Sequence, residues 1–474
     1  MALLDRFKRY APPDTRVPAA RLRTITRLLR VGAPDHLVRL LARLRPNEVA
    51  DAMRTMTARD RRHLFDVVVT RDPRGAMDAL VELGGNAAAD LLRERDPGTI
   101  AALLDPLPTD DAVSVLKLLP APVAQRVRAA MQQHQYVDAV LEHAPQTAGR
   151  MMNPSVFALR ETTTAGEAVA ALQRSAGVEM IFYVYVTDDR GHLNGVTSLR
   201  RLLMVTPDTP LAHVMTGDVI AAHVDTRQEE VARIVASYNL LALPVVDDRN
   251  KLVGVITVDD AIDVITDDTT REMQRLGGLE ALDDPYLSTP LWTLIRKRGR
   301  WLVLLFFGEM LTATAMGYFE DEIAKAVVLA LFVPLVISSG GNSGSQAASL
   351  IIRALAVGEV TVSDWWRVLQ RELLSGLALG AVLAIVGLLR ITVWQQAFGS
   401  YGPEWVRIGL TVSCSLVGVV LWGTLAGSML PFLMKRVGAD PATSSTPFVA
   451  TLVDVTGLLI YFSIASVFLR GTLL

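Results

Sequence analysis

Apolar and polar positions divide this chain into two halves of different character. Before residue 300 the apolar residues recur at short helical or strand spacing, as in Leu37, Leu40, Leu41 and Leu44. After it come five long apolar stretches, near 301–319, 326–350, 373–394, 405–434 and 446–469. Each meets the roughly 20 residues needed to cross about 30 Å of hydrocarbon. Up to residue 145 the pattern predicts short amphipathic helices punctuated by "RPNE", "RDPR", "RDPG" and "LPTDD", an all-α superhelical domain.

Between 146 and 266 the chain repeats itself. "VYVTDDRGHLNGVTSL" (184–199) aligns with "LPVVDDRNKLVGVITV" (243–258), pairing Asp188 with Asp247, Leu193 with Leu252, Gly195 with Gly254 and Val196 with Val255. Each copy reads as a strand, an amphipathic helix, two β-rich runs joined by an Asp-rich turn, and a helix, so two copies of one α/β module are expected. A connecting region, 267–299, follows. There Ser288 or Thr289 before Pro290 signals a helix start, and Leu291, Trp292 and Ile295 give an apolar side ending in Arg296, Lys297 and Arg298. A helix lying on the membrane surface is expected. The last region, 300–474, is the five-span membrane domain.

Length and charge narrow the function. A chain of 474 residues holds several domains, and a formal net charge of −2 gives no bulk electrostatic case for a nucleic-acid partner. Cys414 is the single cysteine, which excludes an intrachain disulfide and a Cys-rich metal site. The start, "MALLDRFKRYAPPDTR", has no apolar core of signal-peptide length, so the front half is expected in the cytosol. The first thirty residues carry eight basic and two acidic side chains, either a solvated face or a leaflet contact. Basic residues at the span ends divide nine (296, 297, 298, 300, 353, 367, 371, 435, 436) against four (325, 390, 407, 470), which predicts N-terminus in and C-terminus out.

Candidate chemistry lies inside the spans: Glu309 in the first, "SSGGNSGSQ" (338–346) in the second and Asp454 in the fifth. A charge at the centre of a span costs about 2.5–3.5 kcal/mol on insertion scales, so such residues usually face a bundle interior or water. Asp454 shares a helical face with the small residues Ala450 and Gly457, which suits an ion path; a protonated carboxyl bonded to a neighbouring helix is the alternative. Pro334 and the glycines 340, 341 and 344 suggest a loosened helix with carbonyls freed to line a cavity, or a helix-packing motif. Glu309 could line the path or be a neutral buried acid. All seven histidines precede residue 224, so the spans offer oxygen ligands and suit hard cations such as Mg²⁺ or Ca²⁺. Two copies of Asp454 at a two-fold axis would repel unless a dication stood between them.

The repeated module resembles a tandem CBS-domain pair through its Gly-Val-hydroxyl ends. Resemblance implies either adenosine-nucleotide binding or dimerisation only; Thr257 and Asp260 match the family's hydroxyl and ribose-binding acid, whereas the first copy has Ser198 but Arg201 in place of the acid. Over nearly its whole length the chain resembles the MgtE magnesium transporters, most specifically in "VPLVISSGGNSGSQAASLIIRALA" (333–356) and "DPATSSTPFVATLVDVTGLLIYF" (440–462). That resemblance implies a homodimeric Mg²⁺ channel in the cell membrane, with Asp454, Ala450 and Thr446 at the pore ion and Gly340, Gly341, Asn342 and Gly344 as pore-lining candidates. It also implies cytosolic Mg²⁺ that closes the pore, held by a set drawn from Asp110, Asp111, Asp225, Asp260, Asp263, Asp268 and Glu272. Thr446 stands where an Asn is expected, and Ser114, Asn239 and Arg271 stand where acids are expected, so gating is expected to be weaker, shifted in concentration or differently sited. Mg²⁺, and an adenosine nucleotide at the CBS pair, are the ligands implied. Another divalent cargo, Co²⁺ or Ni²⁺, and a non-conducting membrane sensor remain alternatives. No phosphate-cradling Gly-rich loop and no catalytic constellation is present, so neither an ATP-driven pump nor an enzyme is expected.

Overall fold

The structure is a computed structural model and describes residues 19–32, 34–175, 182–282, 286 and 289–470. The basic start up to residue 18 and the helix-start signal at Ser288 lie outside the described residues. The chain divides into two compact units, one holding residues 1–268 and 283–288 and the other 269–282 and 289–474.

In the first unit, short helices run from Ala19–Val31 to His134–Glu142. The punctuating tetrapeptides are their starts. Asp72 accepts from Gly75 N at 3.0 Å and Asp96 from Gly98 N at 2.9 Å, while Pro46, Pro73 and Pro97 occupy first-turn positions whose N–H would have no partner anyway. Their apolar faces converge on one core that includes Met53, Phe65, Leu80, Leu92 and Leu104, all fully enclosed.

The repeated modules form two three-stranded sheets with the same topology. In the first, β1 (Ala158–Arg160) runs parallel to β2 (Tyr183–Thr187), which pairs antiparallel with β3 (Leu193–Ser198); β4 (Ala222–His223), β5 (Ala242–Val246) and β6 (Leu252–Thr257) repeat the arrangement. The aligned aspartates make the turns: Asp188 accepts from the N–H of Arg190 and His192, and Asp247 from those of Arg249 and Lys251. The aligned glycines are needed for space, since a Cβ on Gly195 or Gly254 would collide with Met215 or Met152. Asn239, expected to be an acid, closes a helix in the left-handed region at φ 52°, a conformation Asn tolerates well.

The second unit contains five helices long and apolar enough to cross a membrane: Leu291–Tyr318, Val327–Ala356, Val362–Phe398, Trp405–Arg436 and Thr446–Leu469. Three expectations are corrected here. No separate surface helix exists at 291–298, because nothing between Leu291 and Tyr318 stops a helix, and the basic cluster forms the first turns of span one. Thr289 does not cap it, since Pro290 occupies that position. The polar run of span two is not unwound either. Val333–Ala356 is one continuous helix, with Pro334 in its first turn where it does no harm.

Glycines set the helix crossings. Gly340 and Gly344 of span two lie against Gly423 and Gly427 of span four so closely that any of the four would clash if given a Cβ. Ser343 Oγ and Thr424 Oγ1 share a hydrogen bond of 3.1 Å at the same crossing. Phe462 of span five stacks on Phe319 at 4.9 Å, and Tyr461 Oη donates to Leu329 O at 2.9 Å.

Candidate functional site

Thr446, Ala450 and Asp454 recur every fourth residue and share one face of span five. Span two passes beside them, Ser345 Oγ donating to Thr446 O at 3.2 Å and Gly341 lying where an added Cβ would stand 3.7 Å from Asp454 Oδ1 and 3.8 Å from Ala450. The missing side chain leaves room beside the carboxylate. Gly340 and Gly344 meet different neighbours, since an added Cβ would run into Val419 and Gly423 of span four respectively. Asn342 is exposed, and its amide faces Ser338 Oγ at 3.5 Å. Glu309 of span one is exposed, next to Gly308, where an added Cβ would meet the Thr451 methyl of span five.

The first turn of span five is tied to the segment 269–282. Thr446 Oγ1 donates to Leu276 O at 3.0 Å, which engages its proton but leaves an oxygen lone pair. Arg275 pairs with Asp440, Arg300 with Glu280 at 3.1 Å, and Trp301 Nε1 donates to Ser445 Oγ at 3.2 Å. Gly278, at φ +71°, passes directly over the Trp301 ring. These bonds hold the segment against the entrance of spans one and five.

In the first unit a cavity of about 90 Å³ is lined by Asp110, Asp111, Asp259, Asp260 and Thr257, with Phe157, Phe182, Tyr183 and Tyr185 on its other side. That volume holds several waters or a hydrated ion. Burial raises the Asp110 carboxyl far above the usual range, and the neighbouring Asp260 and Asp111 add to it. Asp260 is raised chiefly by burial and then by Asp259, against hydrogen bonds from Thr257 that favour its charge. Asp110 Oδ1 is enclosed without a hydrogen-bond partner. An orphaned buried oxygen among four carboxylates is a fitting place for a divalent ion.

The other regulatory candidates separate. Asp263 lies near Glu82, whose carboxyl is raised by burial first and then by Asp263. Asp225 stands apart, 3.7 Å from His223 Nδ1, while His223 Nε2 pairs with Asp248 at 2.9 Å. Asp268 belongs to the first unit and Glu272 to the second. Sequence reasoning missed Asp259 and Glu82. Asp259 had a signal, since "TVDDAIDVITDD" (257–268) places acids on successive helical turns; Glu82 had none in its own neighbourhood. Among the described residues no three His, Cys, Asp or Glu side chains form a ready-made metal site.

Comparison with known proteins follows the same division. Residues 333–464 match the MgtE family, described as a divalent cation transporter; 44–146 match the MgtE intracellular N domain; 148–208 and 203–267 match CBS domains. The magnesium transporter MgtE of Thermus thermophilus is 41% identical over 336 residues, covering 71% of this chain and 73% of its own length. That of Enterococcus faecalis is 35% identical over 335 residues, covering 70% and 72%. A solved structure of the cytosolic domain of the Mg²⁺ channel MgtE in complex with ATP is 31% identical, covers 51% of this chain and 99% of that one, and has a TM-score of 0.48.

Proposed function

Because this chain belongs to the MgtE family of magnesium transporters, and is a multi-pass membrane transporter rather than an enzyme, we propose that it works as a homodimeric Mg²⁺ channel with Asp454 as its intramembrane ligand. The observation that carries this reading is the meeting of Asp454, Ala450 and side-chain-free Gly341 at one crossing of spans two and five. One carboxylate per protomer cannot strip a Mg²⁺ ion of water. It suits an ion that keeps most of its hydration shell and is held by charge at a two-fold axis. Two Asp454 carboxylates there would repel each other until a dication enters. The ion runs down its electrochemical gradient, with residues 1–299 in the cytosol and the C-terminus outside.

Gating belongs to the acidic cavity. Cytosolic Mg²⁺ bound among Asp110, Asp111, Asp259 and Asp260 would relieve their repulsion and favour the compact arrangement in proportion to its preference for that state. The domain division at 145, 266 and 299 follows this assignment, with a sensing front, a connecting segment and a conducting back. Thr257 and Asp260, with the aromatic side of the cavity, also suit the ribose and base of an adenosine nucleotide, so nucleotide and ion share one site. The test is Mg²⁺ flux into liposomes at controlled Mg²⁺ on the cytosolic face. Flux should fall as that Mg²⁺ rises, and it should fall less in Asp110→Asn. Flux independent of cytosolic Mg²⁺ in the unaltered protein would contradict the gating assignment.

A further inference from the structure

Glu309 occupies a position that lipid does not tolerate well and that the fold does not bury. It lies nine residues beyond Arg300, the last of the basic cluster, or about 13 Å along the helix at about 1.5 Å per residue. That depth is near the middle of the hydrocarbon. Its neighbours Phe306, Phe307 and Met310 are exposed and suited to lipid, whereas an ionised carboxylate there needs water, a cation or a partner.

The packing of span one on span five says which. The stripe Trp301, Leu305, Gly308, Thr312 and Ala315 is the less exposed side of span one, and Gly308 sits against the Thr451 methyl. Glu309 therefore stands at the edge of this contact with span five, the helix that carries Asp454 three residues after Thr451. Glu309 follows Gly308 by one residue and Asp454 follows Thr451 by three, so both acids flank the same helix contact. One turn further, Thr312 Oγ1 is enclosed without a hydrogen-bond partner. Two acids from two spans thus flank one helix contact, and among the described residues no hydrogen bond or ion pair to Glu309 is present.

We propose that Glu309 is a second carboxylate of the ion path, acting beside Asp454 on the same hydrated dication. Asp454 meets the ion from span five; Glu309 holds its outer water from span one and adds negative charge where the ion waits. A dimer then presents four carboxylates, which favours a dication over a monovalent ion more strongly than two would.

This inference rests on the reading that Asp454 is the pore ligand, and the experiment separates the two. Full-length protein in liposomes is compared as wild type, Glu309→Gln, Glu309→Asp and Asp454→Asn, with assembly size checked for each. Expected results are an external Mg²⁺ for half-maximal flux raised on the order of tenfold in Glu309→Gln, from loss of one charge near the ion, with maximal flux less affected. Glu309→Asp restores most of the affinity. Should Glu309→Gln fail to assemble, Glu309→Asp decides: a half-saturation raised by less than the Gln variant's tenfold supports the role, because a shorter acid holds the ion's water less well, and an unchanged one contradicts it. Wild-type half-saturation in the Gln variant, with Asp454→Asn inactive, overturns the role of Glu309 alone. Normal flux in Asp454→Asn overturns both.

Discussion

The Thr446 hydroxyl donates to the Leu276 carbonyl across 3.0 Å, so the first turn of span five is bonded to the segment that enters the membrane unit. Thr446→Val keeps the shape but leaves that carbonyl unpaired, at a cost of about 1–3 kcal/mol. The thermal midpoint of the detergent-solubilised protein should drop, and Thr446→Ser should recover it. Equal midpoints for Val and Ser would show that the bond contributes nothing.

Span packing depends on missing side chains. Gly423→Ala puts a methyl into the Gly340 carbonyl and should destabilise by about 1–3 kcal/mol, as overpacking does. Gly317→Ala is the matched control, since nothing lies within 4 Å of its added methyl. Thermal unfolding of the two variants should differ clearly, with Gly317→Ala at or slightly above the wild type.

The acidic cavity predicts a pH dependence. Burial, then mutual repulsion, raises the Asp110 carboxyl, and burial then Asp259 raises Asp260. A raised acid holds its proton more tightly when folded, so its contribution is full below the unfolded pKa, about 4, and is lost as pH rises through the higher folded value. Metal-free protein should therefore unfold at lower temperature at pH 8 than at pH 5. Mg²⁺ should restore more stability at pH 8, and Asp110→Asn should shrink both effects. An unchanged Mg²⁺ response in that variant would remove Asp110 from the site.

Much of this was legible in the sequence for identifiable reasons. The five spans follow from hydropathy, since backbone in lipid has few structures open to it. The repeat was readable because Asp188 and Asp247 make the same turn and Gly195 and Gly254 answer the same crowding. Local reading did not separate the glycines. Glycines at 340, 341 and 344 looked alike, yet two face span four and one faces Asp454, a distinction fixed by helix rotation and not by composition. Glu82 beside Asp263 was equally invisible, because the pair is separated by most of the first unit and only the fold brings it together.

Cargo choice tests the hardness of the site. Oxygen ligands without imidazole or thiolate give no advantage to softer ions. Co²⁺ and Ni²⁺ should thus compete weakly with Mg²⁺ for uptake, and preferred uptake of either in the presence of equal Mg²⁺ would contradict an all-oxygen, hydrated-ion path.

The central claim is that Asp454 meets the conducted ion. Mg²⁺ flux should be measured in liposomes holding wild-type, Asp454→Ala or Asp454→Glu protein of equal assembly size. The account predicts flux abolished in the Ala variant and partly kept in the Glu variant, whose carboxylate can still face a hydrated dication. Wild-type flux through the Ala variant would contradict it.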